Sequence, residues 1–298
     1  MEETEFTFKR QRGIAWVCDI ANSSRYLNDN KTAELIEEFL PRFHWTARVM
    51  VESAGGIFVK WTGDGFLAWF PAVLHRDLAQ PARIVLNAAW HMSFLVNVTR
   101  LDVGVKEVFR IRHGVAIEHD ALVTAMTSGS AQSVDLVGRG IVLAFRLAGV
   151  TAAKFPTIAT SGEVLEVAGD FDTVNFSRWR LTSQDRLKHF KGERWGTKSL
   201  YVSIDKRTSR KSSSRLVRSS KELLHQLKNP AGTELPQDRA FLASFINRMI
   251  DGPLWGRKVV CDHHKFIMEN LALPLEKAIG ETEKLEAQLK TLRRAKRQ

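Results

Sequence analysis

The chain has 298 residues, with 44 Lys and Arg against 33 Asp and Glu, a formal net charge of +11. Its 44% hydrophobic and 26% charged composition excludes a disordered or fibrous chain and allows one large or two small domains. Two cysteines only, Cys18 and Cys261, exclude a disulfide framework and a Cys-based zinc site. The sequence contains no apolar run of about 18 residues and no leader-like start, so neither a membrane span nor secretion is expected, and a cytoplasmic setting is. The positive surplus favours an anionic partner without choosing among nucleic acid, membrane surface and polyphosphate.

In chain order, Gly13 to Ile20 (GIAWVCDI) reads as a buried strand that ends in a carboxylate, Asp19. After the turn ANSSRYLND, Asn28 or Asp29 is placed to cap a helix carrying Leu35, Ile36, Phe39, Leu40 and Phe43, with Pro41 expected to bend it. A hairpin follows, IFVKW and FLAWF joined around Gly63-Asp64-Gly65. Leu78 to Val98 reads as a second long helix, Phe109 to Ile117 as a strand, and Val137 to Val150 as a third helix that begins through Asp135 and Gly138. Lys154 to Val167 and Ser199 to Ile204 are read as the last strands. This alternation predicts a mixed α/β domain over residues 1–205, a sheet covered by helices. Residues 206–220 (KRTSRKSSSRLVRSS, counting from Lys206) form a basic, Ser-rich linker, and 221–298 a helical C-terminal extension: Lys221 to Leu227, Asp238 to Ile250, and a last segment with Leu285, Leu289 and Leu292 at helical spacing.

Two carboxylates stand out because each lies at a chain reversal, Asp19 at a strand end and Asp64 at a hairpin tip between glycines. Hard carboxylates brought together suit Mg²⁺, which takes a few such ligands plus substrate phosphates. Around them, CDIANSS, VESAGGIFVKWTGDGFLAWF, FRIRHGVAIEHDALV, VDLVGRGIVLAFRLAGV and FKGERWGTKSLYVSI occur in order. Over residues 10 to 205 this set resembles a class III nucleotide cyclase catalytic domain, whose core is a ferredoxin-like α+β sandwich.

The resemblance implies a role for each matching residue. Asp19 and Asp64 would bind two divalent metal ions, Mg²⁺ or Mn²⁺, with the carbonyl of Ile20 as a further ligand. Asn22, Ser23 and Ser24 would offer backbone amides to the triphosphate. Lys60 and Asp135 would read the base, Lys191 would bind triphosphate, and Arg146 would stabilise the phosphorus under attack. In such enzymes the metal aspartates and the base-reading and arginine positions come from opposite subunits, so the resemblance implies a homodimer with composite sites and a nucleoside triphosphate substrate. The ions would lower the pKa of the ribose 3′-hydroxyl while the planar fork of Arg146 meets phosphate oxygens.

Two departures set this chain apart. Val142 stands where adenylate cyclases carry a ribose-orienting Asn, and Asn22-Ser23-Ser24 replaces the usual Gly-Phe-Thr. Lys60 donates and Asp135 accepts, a combination that adenine, cytosine and uracil edges can each satisfy. The compact, divergent domain is similar to the bacterial pyrimidine cyclases of anti-phage signalling, which implies UTP converted to 3′,5′-cyclic UMP, with cytidylate or adenylate cyclase as alternatives. Readings from other classes are a basic nucleic-acid-binding protein, for which no motif is present, and a cyclase-like module without catalysis. His113, His119 and His263-His264 lack a third ligand at useful spacing and read as structural. Trp16, Trp61 and Trp69 sit in apolar strand runs and read as core.

Overall fold

The computed structural model describes residues 4–21, 23, 30–75, 77–105, 109–128, 131–149, 158–169, 175–179, 190, 199–204 and 240–267. Strand β1 (Thr4–Ala21), helix α1 (Asn30–Ser53), the hairpin β2 (Ile57–Trp61) and β3 (Phe66–Pro71), helix α2 (Ala79–Asp102) and strand β4 (Arg110–Ser128) come first. Their β-α-β-β-α-β order and sheet order β2-β3-β1-β4 are those of a ferredoxin-like core. Strand β5 (Ala131–Val137) adds to the far half of β4, and helix α3 (Arg139–Ala148) follows it. Strand β6 (Ile158–Ser161), helix α4 (Gly162–Ala168), and strands β7 (Asn175–Trp179) and β8 (Leu200–Ile204) extend the sheet as β4-β6-β8-β7. Only the β4–β6 pairing among these is parallel; the other ladders are antiparallel. Helices α5 (Ala240–Asp251) and α6 (Leu254–Ile267) complete the described chain.

The run GIAWVCDI lacks polar alternation because both faces of β1 are covered. Ile14, Trp16, Cys18 and Ile20 point into one core with Phe66, Ala68 and Phe70 of β3, while Ala15 and Val17 point into the other with Leu67 and Trp69. Helix α2 carries buried side chains on several faces, among them Ala82, Val85, Leu86, Met92 and Leu95. It packs on the sheet beside α1 and α4, and α6 packs against it. Phe241, Phe245, Met249 and Val259 of α5 and α6 join that same core. Ion pairs tie the outer helices down: Arg248 to Glu52 at 2.6 Å, and both Lys258 and Arg42 to the buried Asp102. The Arg42 guanidinium also lies 5.6 Å from the centre of the Trp255 ring.

The mixed α/β architecture and the first hairpin are as the sequence indicates, and α1 contains Pro41 within one helix. Three boundaries differ. Residues 131–137 form β5, so Asp135 lies on a strand and the third helix begins only at Arg139; the stretch pairs with the far end of β4, a partner that local pattern does not reveal. Of the expected strand Lys154 to Val167, residues 154–157 lie outside the described residues, Ile158–Ser161 is strand and Gly162–Ala168 is helix, where Val164 and Ala168 recur at helical spacing and are buried. Strand β7, at the sheet edge beside β8, has no counterpart in the sequence reading. The linker 206–220, Lys221 to Leu227 and the terminal leucine segment lie outside the described residues.

His113 is a core residue: Trp16 Nε1 donates to its Nδ1 at 3.1 Å, and its Nε2 lies 3.0 Å from Ser93 Oγ, which itself donates to the Ala89 carbonyl. Burial pushes its pKa from 6.5 down to about 3, so the imidazole is neutral. Trp16 and Trp69 are fully buried, one in each core, and Trp61 packs partly buried against the core that holds Trp16.

Candidate active site

Asp19 is near the end of β1, where the register places it directly opposite Arg112 of β4. The two side chains form an ion pair, Arg112 Nη2 donating to Asp19 Oδ2. Asp64 reaches the same place from the tip of the β2–β3 hairpin. Gly65 makes that possible: a Cβ there would lie 2.1 Å from the Cys18 carbonyl oxygen and 3.1 Å from the Asp19 Cα, so only glycine lets the hairpin tip rest on β1. Burial pushes the Asp19 carboxyl up, Arg112 pulls it down and the charge of Asp64 pushes it up again, leaving it above its ordinary value. Burial and the same two carboxylates push the neighbouring Cys18 thiol far up, so it stays protonated and inert.

Asp64 Oδ2 is buried and has no hydrogen-bond partner among the described residues. A buried carboxylate oxygen without a partner is costly unless a cation or donor satisfies it. Asp19, whose carboxyl feels the charge of Asp64, stands beside it, and a pair of carboxylates supplies hard oxygen donors of the kind that hold Mg²⁺ or Mn²⁺. Among the described residues no group of three or more His, Cys, Asp or Glu side chains is placed to hold a metal.

Lys60 and Asp135 form a second set. A register shift in β2 between Phe58 and Lys60 places Lys60 opposite Leu67, whose side chain faces the thinner core, so the bulge re-aims the lysine to that face. There Lys60 Nζ donates to Asp135 Oδ1 at 2.7 Å, joining β2 to β5. The hydrogen bond from Lys60 leads the effects that hold the Asp135 carboxyl below its ordinary value. Both side chains are solvent-exposed, at 46% and 59%, so the pair can open to a ligand at little cost.

Arg146 and Val142 are one turn apart on α3, and Val142 is exposed. The helix lies close on β4: a Cβ at Gly114 would sit 1.9 Å from the Ala144 carbonyl oxygen. Its start is held by Glu118 of β4, buried, whose Oε2 accepts from the Gly140 amide at 2.6 Å and whose Oε1 accepts from the Asp120 amide at 3.0 Å. A carboxylate on the first turn satisfies an unpaired amide and complements the helix dipole. Arg112 and Glu118 are the residues the sequence reading missed. Each acts through a partner distant in sequence, and no local signal marks either. Of the remaining candidates, Ser23 lies in the turn after β1, while Asn22, Ser24 and Lys191 lie outside the described residues.

No family model matches the chain, and no curated protein does. Solved structures do. The adenylyl cyclase CyaB from P. aeruginosa is 18% identical with a TM-score of 0.50, over 68% of this chain and 98% of that one. The guanylyl cyclase Cya2 is 19% identical with a TM-score of 0.50, over 66% of this chain and 92% of that one. The guanylate cyclase domain of RhGC from Catenaria anguillulae, solved in complex with GTP, is 14% identical with a TM-score of 0.50, over 66% and 98%. The chain therefore has the fold of class III nucleotide cyclase catalytic domains, extended beyond the part these structures match.

Proposed function

We propose that the protein is a metal-dependent nucleotide cyclase that works as a homodimer and prefers UTP, releasing 3′,5′-cyclic UMP and pyrophosphate. The observation that carries the reading is the buried, unpartnered Asp64 Oδ2 set beside Asp19 by the Gly65 contact, on a cyclase fold. A divalent cation held by Asp19, Asp64 and the Ile20 carbonyl supplies Lewis acidity toward the ribose 3′-hydroxyl and the α-phosphate.

The chain's own groups do the rest. Lys60 releases Asp135 and donates to uracil O4, while Asp135 accepts from N3–H, so the exposed ion pair is exchanged for a base edge of matching polarity. Arg146, carried on the helix that Glu118 fixes, offsets charge on the transferring phosphoryl group, and its planar fork suits that better than an ammonium. Amides of the turn at Asn22, Ser23 and Ser24, together with Lys191, bind the triphosphate. Val142 offers no side-chain hydrogen bond to a ribose, which fits a nucleoside seated differently from a purine. The exposed apolar residues Leu122, Val137, Val142 and Phe145 lie on β4, β5 and α3, beside the Arg146 face, where a second subunit would complete each site. Among the described residues no helix is long and apolar enough to cross a membrane; the reading places the enzyme in the cytoplasm, making a second messenger of antiviral defence as the sequence resemblance suggests.

Equimolar ATP, GTP, CTP and UTP incubated with the full chain and Mn²⁺, with products identified by mass, tests this. A dominant cyclic UMP peak is expected. A cyclic CMP or cyclic AMP peak instead removes the base assignment and keeps the chemistry, and the absence of any cyclic nucleotide removes the cyclase reading.

A further inference from the structure

Register gives Asp19 a neighbour that a pair of metal ligands does not need. Arg112 stands directly across the β1–β4 ladder, on the same face of the sheet, and its guanidinium already occupies Asp19 Oδ2. Both side chains are largely covered, at 21% and 26% exposure, so this is no solvent-screened surface pair. Arg112 Nε is itself buried without a hydrogen-bond partner among the described residues. Displacing the guanidinium from Asp19 would thus strip a covered cation of its counter-charge, the expensive way to break such a pair.

The charge balance points the same way. Two carboxylates carry two negative charges, and a fixed guanidinium cancels one. Two divalent ions beside Asp19 and Asp64 would place four positive charges next to a fifth, that of Arg112. A single ion would leave Asp19 Oδ2 to Arg112 and could be held with the help of Asp64 Oδ2, which has no hydrogen-bond partner among the described residues. A guanidinium is also a natural phosphate-binding group, able to meet oxygens that a second ion would otherwise neutralise.

We infer that Arg112 is a built-in cation of this centre, taking the place of one of two divalent ions, so that the aspartate pair binds a single ion. The inference rests on the cyclase reading of Asp19 and Asp64 and deepens it.

Mn²⁺ alone, titrated into the full chain and followed by electron paramagnetic resonance, separates the two. The parent protein is expected to bind one Mn²⁺ per chain. Arg112→Gln, which removes the charge and keeps a hydrogen-bonding side chain, is expected to bind the first ion at least about tenfold more tightly and to admit a second. Arg112→Lys, which keeps the charge, should stay close to the parent, and thermal unfolding of each variant checks that the β1–β4 ladder is intact. Two ions per chain in the parent, or an unchanged affinity and stoichiometry in a folded Arg112→Gln, overturns the role of Arg112. In that case loss of Mn²⁺ binding in Asp64→Asn shows that the metal site itself stands. Mn²⁺ binding absent from parent and variants alike overturns both readings.

Discussion

On one face of the sheet, Trp16, Phe66 and Phe70 lie beneath α1 and α2, and α5 adds Phe245 and Met249 and α6 adds Val259 to the same core. On the other face, Val17, Leu67 and Trp69 are covered by α3 and little else among the described residues. There Val137 remains 65% exposed and Val142 41%. Most charged groups assigned to the site belong to the thin face: Asp19 and Arg112 share the parity of Val17 and Ala116, Lys60 that of Leu67, and Arg146 rides on α3, whereas Asp135 on β5 alternates with the thin-face Leu136 and still meets Lys60 by a hydrogen bond. A thinly covered layer can present polar groups to a ligand or to a second subunit, and a filled layer cannot without leaving them buried and unpaired. The thick face supplies stability, and the thin face trades stability for chemistry.

Truncation on the thick face should break that division most visibly. Phe43→Ala, at a fully buried position, is expected to cost about 3 to 5 kcal/mol by denaturant unfolding, while any protein that remains folded keeps its catalytic rate per folded molecule. A thin-face counterpart comes next. Arg146→Ala should lower kcat about 10²- to 10³-fold and change unfolding free energy by about 1 kcal/mol or less. Mixed with Asp19→Ala, it should recover part of the activity, because a mixed dimer holds one intact site; verified heterodimers without recovery would show that each site is built within one subunit.

Glu118→Ala sharpens the comparison, since the residue belongs to the thin face yet touches no substrate in this reading. Loss of the contact to the Gly140 amide should cost about 1 to 2 kcal/mol and reduce kcat with little change in the pH profile, as expected of a positioning residue. The smallest effect concerns the outer helices. A double-mutant cycle between Glu52 and Arg248 should give about 0.2 to 1 kcal/mol. Burial pushes the Glu52 carboxyl up, but hydrogen bonds from Arg248 and Arg48 outweigh it and hold the pKa below 4.5. The folded pKa is depressed, so this stabilisation is present above the ordinary carboxylate value and is lost as pH falls through the folded one. Arg248→Ala should flatten that acid limb of the stability curve, measured by unfolding between neutral pH and the acid range.

Much of this was legible in the sequence where local signals were strong. The hairpin around Gly63-Asp64-Gly65 and the apolar run ahead of Asp19 mark both carboxylates without any tertiary knowledge. What escaped depends on pairing at a distance. Strand β5 exists because the far half of β4 offers it an edge, and AQSVDLV alone does not separate a strand from the approach to a helix. Arg112 reads as one more strand cation until the β1–β4 register puts it opposite Asp19. Glu118 reads as a strand carboxylate until α3 is docked on β4. The bulge that turns Lys60 to the thin face leaves no mark in IFVKW at all.

The two longest strands, β1 and β4, have a consequence for how the chain comes to be folded. Cys18 pairs with His113 and Thr4 with Ser128, so the centre of the sheet is closed by contacts of very long sequence separation, whose loop-closure entropy must be met before any pairing rewards it. Helix α1 and the β2–β3 hairpin can form early from neighbouring residues. During synthesis β1 then waits with one edge open until residue 128 has left the ribosome, carrying the buried apolar run from Ile14 to Cys18. Refolding from denaturant should accordingly be slow and sensitive to protein concentration, with aggregation competing through that open edge until β4 arrives to close it.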